Sequence, residues 1–230
     1  MSAINRFLTY YCIDVDLPSE NTYRAPSLQS NDFISSDELS ALLQSMRKPI
    51  HSIARDTLIN RNLAIVHLIR YNGLRPKEIA FIDMRMINLA QSTIEFESNG
   101  QQTTYTLSGK HIRYIRDYYQ SIDLIKRPTW KSNDPLFVSF NNRSHDFQYD
   151  YAAEQPKQLS VRSIQEMIKD EVQLAGLRQL SAKHLRNSCI LDYLSGGHGD
   201  KIIQNYFHLT HRYSLQRYKD YNESVANIKN

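Results

Sequence analysis

Residues 181–221 read SAKHLRNSCILDYLSGGHGDKIIQNYFHLTHRYSLQRYKDY. The run carries Arg186 near the start of one helical pattern, His208 at the end of a second, and Tyr218 ten residues after that histidine. Its charges are uneven. Lys183, Arg186, Lys201, Arg212, Arg217 and Lys219 stand against Asp192, Asp200 and Asp220, which leaves +3 of the whole chain's +4 in this stretch. A basic surface that offers a phenol as nucleophile has the phosphodiester as its natural electrophile.

The rest of the chain narrows the class. Its 230 residues are enough to bury one good core, and 41% hydrophobic with 23% charged residues is an ordinary globular balance. No apolar run approaches the ~20 residues that span a bilayer. The first residues, MSAINRFLTYYCIDVDLP, lack a secretory signal pattern. Cys12 and Cys189 are far apart and form no zinc motif, so a reducing compartment, the cytoplasm, is expected. With seven glycines and no phosphate-cradling loop, no cofactor is expected. His198, His208 and His211 lack a cysteine or acidic partner at ligand spacing, which argues against a metal site.

Along the chain, residues 1–17 read as the end of a helix and 18–34 as a Pro-, Ser- and Asn-rich linker. Ser35-Ser36-Asp37-Glu38 is a capping box that opens a helix to about Met46, where a compact domain begins. A long helix over 55–73, with Leu58, Ile65 and Ile69 as its buried stripe, ends at Asn72-Gly73, and Pro76 starts the next at its first position. Arg75 therefore sits in a tight corner between helices. Met86–Leu89, Thr93–Phe96 and Thr103–Leu107 alternate as strands, with Ser98-Asn99-Gly100 as a turn. Helix returns at about 109–124. One short strand, Leu136–Val138, precedes helices at about 160–174, 181–195, 200–206 and 211–220. The fold expected is mainly α with a small antiparallel three-stranded β-sheet.

Two blocks, Tyr71-Asn72-Gly73-Leu74-Arg75-Pro76-Lys77-Glu78-Ile79 and Lys183-His184-Leu185-Arg186-Asn187-Ser188 followed by His208 and Tyr218, together resemble the tyrosine recombinases of the phage-integrase and Xer type. That family has a G-L-R-x-x-E block, a β-hairpin, H-x-L-R, G-H and then a tyrosine. The resemblance covers about residues 35–221, and the 22 residues from Arg186 to His208 are close to the family's spacing. It implies a catalytic domain that performs site-specific DNA recombination (integration, excision or resolution) through a covalent 3′-phosphotyrosyl DNA intermediate, without metal or ATP. Tyr218 would be the nucleophile, Arg75 and Arg186 would hold the non-bridging oxygens, His208 would add a hydrogen bond, and Glu78 would orient the first arginine site. Lys77, Gln101, Gln102, His184, Asn187, His211 and Arg212 are expected against DNA. In such proteins the basic run Arg47, Lys48, Arg55, Arg61 and Arg70 would face phosphates; by composition alone it is equally a solvated face.

Three positions depart from the pattern. Lys183 stands where the family has the histidine of H-x-L-R, and His184 follows it. The hairpin has no lysine, the family's general acid, so Lys183 is the expected replacement. Phe207 replaces the usual glycine before the last histidine. With 15 tyrosines in the chain, Tyr213 and Tyr221 remain alternative nucleophiles. The resemblance also implies that residues 1–34 are the last helix of a core-binding domain plus linker, 35–221 the catalytic domain and 222–230 a tail that docks on a neighbour or frays. The chain would be either a piece of a longer protein or a stand-alone catalytic domain. Double-stranded DNA is the expected partner, bound by a tetramer that is monomeric when free, with no membrane contact. The alternative reading is a relaxase-like nickase, or a DNA-binding accessory protein of this fold with reduced or lost chemistry.

Overall fold

The computed structural model describes residues 26–98, 101–209 and 212–229, and all side chains within them except those of 98, 101, 212 and 227–229. The helix expected in residues 1–17 and the turn residues 99–100 lie outside the described residues. The architecture is mainly helical with small antiparallel sheets.

Helix α1 (Ser36–Arg47) opens with the expected capping box. The Ser35 hydroxyl accepts from the Glu38 amide at 3.1 Å, and the Glu38 carboxylate accepts from the Ser35 amide at 2.9 Å. The long helix expected over 55–73 is two, α2 (Ile53–Thr57) and α3 (Ile59–Asn72), broken at Leu58. α3 is the centre of the molecule, packed against α5 (Gly109–Ser121) on one side and α7 (Ala182–Ser195) on the other. Its core residues Leu63 to Val66, Leu68 and Ile69 are all but sealed from solvent, so the expected narrow stripe is a helix buried nearly all round.

Short α4 (Pro76–Ala80) follows with proline at its first position, and then the three-stranded sheet β1 (Ile87–Asn88), β2 (Thr93–Ser98) and β3 (Gln101–Thr106), in the order β1-β2-β3. Ile94 and Tyr105 pair across β2 and β3 and both point into the core. Leu136–Val138 is not a ladder strand. It is a wholly buried segment that bends at Leu136 and Phe137 and that Ile82 and Leu159 bond through their backbones, with one bridge from Val138 to Gln158. Two minimal hairpins follow, β4 (Phe140–Asn141) with β5 (Asp146–Phe147) and β6 (Tyr149–Asp150) with β7 (Gln155–Pro156). Helices α6 (Val161–Leu174), α7, α8 (Asp200–Tyr206) and α9 (Arg212–Lys229) complete the chain.

Both ends of the compact unit differ from expectation. Leu28, Phe33 and Ile34, in the stretch read as linker, are buried. Leu28 and Phe33 join Cys189, Ile190, Ile203, Phe207, Leu215 and Tyr218 in a second core beside the main one. At the other end α9 continues as one helix through the stretch read as a tail. Among the described residues no helix is long and apolar enough to cross a membrane.

Candidate active site

The site is built on the corner between α3 and α4. Gly73 closes α3 with φ of 66°, a left-handed conformation that glycine adopts without a steric penalty. The Phe207 ring lies so close that a Cβ on Gly73 would stand 2.2 Å from it. The glycine of this block therefore serves both the turn and the approach of Phe207. Phe207, the departure from the family pattern, is buried and fills the space above that corner. Arg75 caps α4, its amide donating to the Glu78 carboxylate at 2.6 Å. This leaves the Arg75 side chain exposed, with Nη2 donating to the His208 carbonyl at 3.1 Å.

Arg186 reaches the same corner from α7. It donates through Nη1 to the Gly73 carbonyl and through Nη2 to the Phe207 carbonyl at 2.5 Å, and it lies 3.8 Å from Glu78. Burial, opposed by Glu78, lowers its pKa. Glu78 thus serves both arginines, one through its backbone and one through its charge. Arg75, Arg186, Glu78 and His208 are brought together as the sequence predicted.

His208 has φ of 48°, a left-handed conformation rare outside glycine. Its Nε2 lies 3.2 Å from the Tyr105 hydroxyl, and that hydroxyl spends its single hydrogen on the Tyr206 carbonyl at 2.9 Å. The Tyr105 oxygen must then accept, so Nε2 of His208 carries a hydrogen. Burial raises the pKa of Tyr105, so it stays a phenol. Tyr105 belongs to this site and the sequence reading did not single it out. Its only signal was an aromatic on the inward face of β3.

Tyr218 projects from α9 onto α7. Its hydroxyl donates to Asn187 Oδ1 at 2.8 Å, and the ring is buried. Burial is the first cause that raises its pKa, while Arg186, Arg217 and Arg75 pull it down. Of the alternative nucleophiles, Tyr213 is largely exposed and Tyr221 stacks on Phe33 with ring centres 4.5 Å apart.

A groove of about 1080 Å³ opens from the two arginines along α6, lined among others by Arg75, Gln165, Lys169, Gln173, Gln179, Lys183, His184 and Arg186. Lys183 is exposed there and pairs with Asp32 at 3.7 Å. His184 caps its own helix, with Nδ1 accepting from the Ser181 amide at 3.0 Å. Burial lowers its pKa, which leaves a hydrogen on the outer ring nitrogen. Gln165, Lys169 and Gln173 recur every four residues on one face of α6, a stripe that the sequence reading passed over.

The other expected site residues fall in different places. Asn187, expected against DNA, belongs to the lining of the groove beside Arg186, but its amide is buried, accepting from the Tyr218 hydroxyl and donating to the Asp32 carbonyl. Gln102 stays at the exposed hairpin, with its amide donating to Glu95 at 3.0 Å, and does not line the groove. Lys77 is exposed on α4. The side chains of Gln101 and Arg212, and the whole of His211, lie outside the described residues. The run from Arg47 to Arg70 divides: Arg47 and Lys48 are exposed, and the other three are held by the protein itself. Arg61 is buried and bonds Val138 and Asn62, Arg55 pairs with Glu171 at 2.9 Å, Arg70 with Asp192 at 2.6 Å, and Arg47 donates to Tyr114.

The model of the phage integrase family matches residues 32–224. No curated protein matches by sequence. Among solved structures, the XerA recombinase aligns with a TM-score of 0.59 at 21% identity, over 94% of this chain and 66% of that one. The XerH site-specific recombinase, in a post-cleavage complex with palindromic difH substrate, gives 0.64 at 18%, over 86% and 52%. The Tn1549 transposon integrase with circular intermediate DNA gives 0.61 at 11%, over 94% and 70%. The chain thus spans about two thirds of XerA and half of XerH. The match over most of the chain, on the fold those recombinases share, places this protein in the phage integrase family, the tyrosine recombinases.

Proposed function

We propose that this chain cleaves and rejoins duplex DNA in site-specific recombination, with Tyr218 as nucleophile. The observation that carries the reading is the convergence of Arg75, Arg186 and His208 on one corner, with a phenol on the adjoining helix and a groove leading away from it that mixes basic and polar side chains with apolar ones such as Val172 and Leu180. In the first step the Tyr218 oxygen attacks phosphorus. A phosphotyrosyl bond to the 3′ side forms and the bond to the 5′ oxygen breaks. The two guanidinium groups, which keep their charge throughout, stabilise the non-bridging oxygens as negative charge gathers there. His208 adds a hydrogen bond. The phenol gives up its proton to water as it attacks, and Lys183, which lines the groove, donates the proton that the leaving 5′ oxygen needs. Rejoining is the reverse attack by a 5′ hydroxyl, so the bond energy is conserved without ATP, and fixed cations do the work a metal would do. The neighbours' complexes with difH and transposon DNA support duplex DNA as partner. A monomer that assembles as a tetramer on DNA, in the cytoplasm at the nucleoid, fits the reading.

The test uses a nicked suicide duplex taken from the ends of the element that encodes the gene, in EDTA and without ATP. A covalent adduct on a denaturing gel with the wild type, lost in Tyr218→Phe, is the expected result. Survival of the adduct in the variant moves the nucleophile to another tyrosine. DNA retained with no adduct in the wild type supports an accessory binding protein instead.

A further inference from the structure

We propose that Asn187 is a positioning residue that holds Tyr218 in a sheltered resting place, and that the segment Asp32–Ile34 controls its release. The proposal rests on Tyr218 being the nucleophile. Both halves of the Asn187 amide are in use. Its oxygen accepts from the Tyr218 hydroxyl at 2.8 Å and its nitrogen donates to the Asp32 carbonyl at 3.0 Å. One side chain, 3% exposed, thus ties the nucleophile to a segment 155 residues away in sequence.

The phenol cannot attack from this position. Its hydrogen is committed to an amide oxygen that is no base, and its ring is 9% exposed beside the edge of Phe33, ring centres 6.4 Å apart. A hydrogen bond donated by the phenol also favours its neutral form, in the same direction as burial. The segment that sets this arrangement is itself stitched down. The Ser188 hydroxyl accepts from the Ile34 amide at 3.0 Å and donates to the Ile34 carbonyl at 3.2 Å. Arg178 donates to the carbonyls of Asn31 at 2.8 Å and Phe33 at 2.5 Å. Phe33 stacks on Tyr221, one turn beyond Tyr218.

A trigger is in place at the groove. Asp32 is the carboxylate that pairs with Lys183, and Lys183 lines the groove with both arginines. A phosphate entering the groove competes for Lys183, takes it from Asp32, and loosens the segment on which Asn187 leans. Occupancy of the groove and release of the nucleophile are then one event.

Reactivity without DNA tests this. The chain is treated with N-acetylimidazole across a pH series, and acetylation of Tyr218 is measured by peptide mass spectrometry against Tyr213, which is 76% exposed. Asn187→Leu removes the acceptor; Ser188→Ala frees the segment while leaving the Tyr218 bond intact. Both are expected to raise the Tyr218 to Tyr213 ratio about fivefold, the worth of one hydrogen bond. Both should also move the pH profile of Tyr218 down. An unchanged ratio in folded Asn187→Leu overturns the sheltering. Should Asn187→Leu fail to fold, Ser188→Ala decides, and an unchanged ratio there overturns the control by the segment. Because no cleavage is measured, loss of the nucleophile assignment in the suicide-duplex test would leave this result standing by itself.

Discussion

Gly73 shows how much of the site hangs on one missing atom. Its left-handed φ ends α3, its carbonyl receives Arg186, and its bare Cα admits Phe207. Gly73→Ala adds backbone strain and a collision with an aromatic ring that is itself wedged, so a loss of about 2–3 kcal/mol in urea denaturation is expected. Pairing it with Phe207→Leu, which trims the colliding ring, should recover part of that loss, a coupling that independent sites would not show. Tyr105 makes a different case. Tyr105→Phe keeps the packing against Phe96 and Tyr206 but removes the oxygen that accepts from His208. His208 would then be free to turn, and adduct formation on the suicide duplex should slow about tenfold, the cost of roughly one hydrogen bond of positioning, while DNA affinity stays unchanged. Equal losses of rate and affinity would contradict a positioning role.

The seam between α3 and α5 carries a pH dependence remote from the catalytic corner. His67 and His111 meet there with ring centres 4.7 Å apart, beside Tyr71 and Tyr114, and both ring nitrogens of His67 and Nδ1 of His111 are buried without a partner. Burial, reinforced by His111, Arg47 and Lys110, pushes His67 down to about 3; burial alone takes His111 to about 4. The unfolded chain protonates both near about 6.5. Below that value it binds protons that the folded chain refuses, so the seam is at full strength above about pH 6.5 and loses about 1.4 kcal/mol per pH unit for each histidine as pH falls towards 4. Urea midpoints at pH 7, 6 and 5 should fall steeply for the wild type and less for His67→Leu with His111→Leu. The same seam marks what the sequence could and could not tell. The capping boxes, the Gly73 turn, Pro76 and the strand alternation are local chemistry, and each was legible. So was the grouping of Arg75, Arg186 and His208, through the two blocks. The direction a helical side chain faces is set by elements far away in sequence. Asn187 lines the groove next to Arg186 yet its amide is spent on Tyr218 and Asp32, and Arg55 and Arg61 read as a surface stripe yet are held by Glu171 and Val138. Tyr105 was legible as an inward strand residue but not as the partner of a histidine 103 positions on.

For the molecule as a whole, the question is where its modest excess of positive charge is spent. Arg55, Arg70 and Arg178, outside the catalytic corner, are taken up in ion pairs, so the net +4 does not by itself make a basic shell with a general affinity for polyanions. At one place exposed cations share a concave site: Arg75, Lys169 and Lys183 line a single groove together with Gln165, Gln173 and Gln179. Charge focused in a groove attracts phosphates far better than the same charge spread over a surface. Lys169 is the informative position, because it lies on α6, away from the arginine pair, and the sequence blocks do not include it. If the α6 face lies along a duplex, Lys169 neutralises a backbone phosphate and contributes one released counterion. Lys169→Ala should then lower affinity for any duplex, and the slope of log K against log salt should shrink by about 0.9, one phosphate's share. Gln173→Ala on the same face removes no charge. It should leave that slope unchanged and alter, at most, the preference among sequences. Filter binding of a fixed duplex from 50 to 200 mM salt, a range of roughly the width over which such slopes are read, would measure both. A Lys169→Ala slope equal to the wild type's would put the duplex on another face of the molecule and detach α6 from the groove's function.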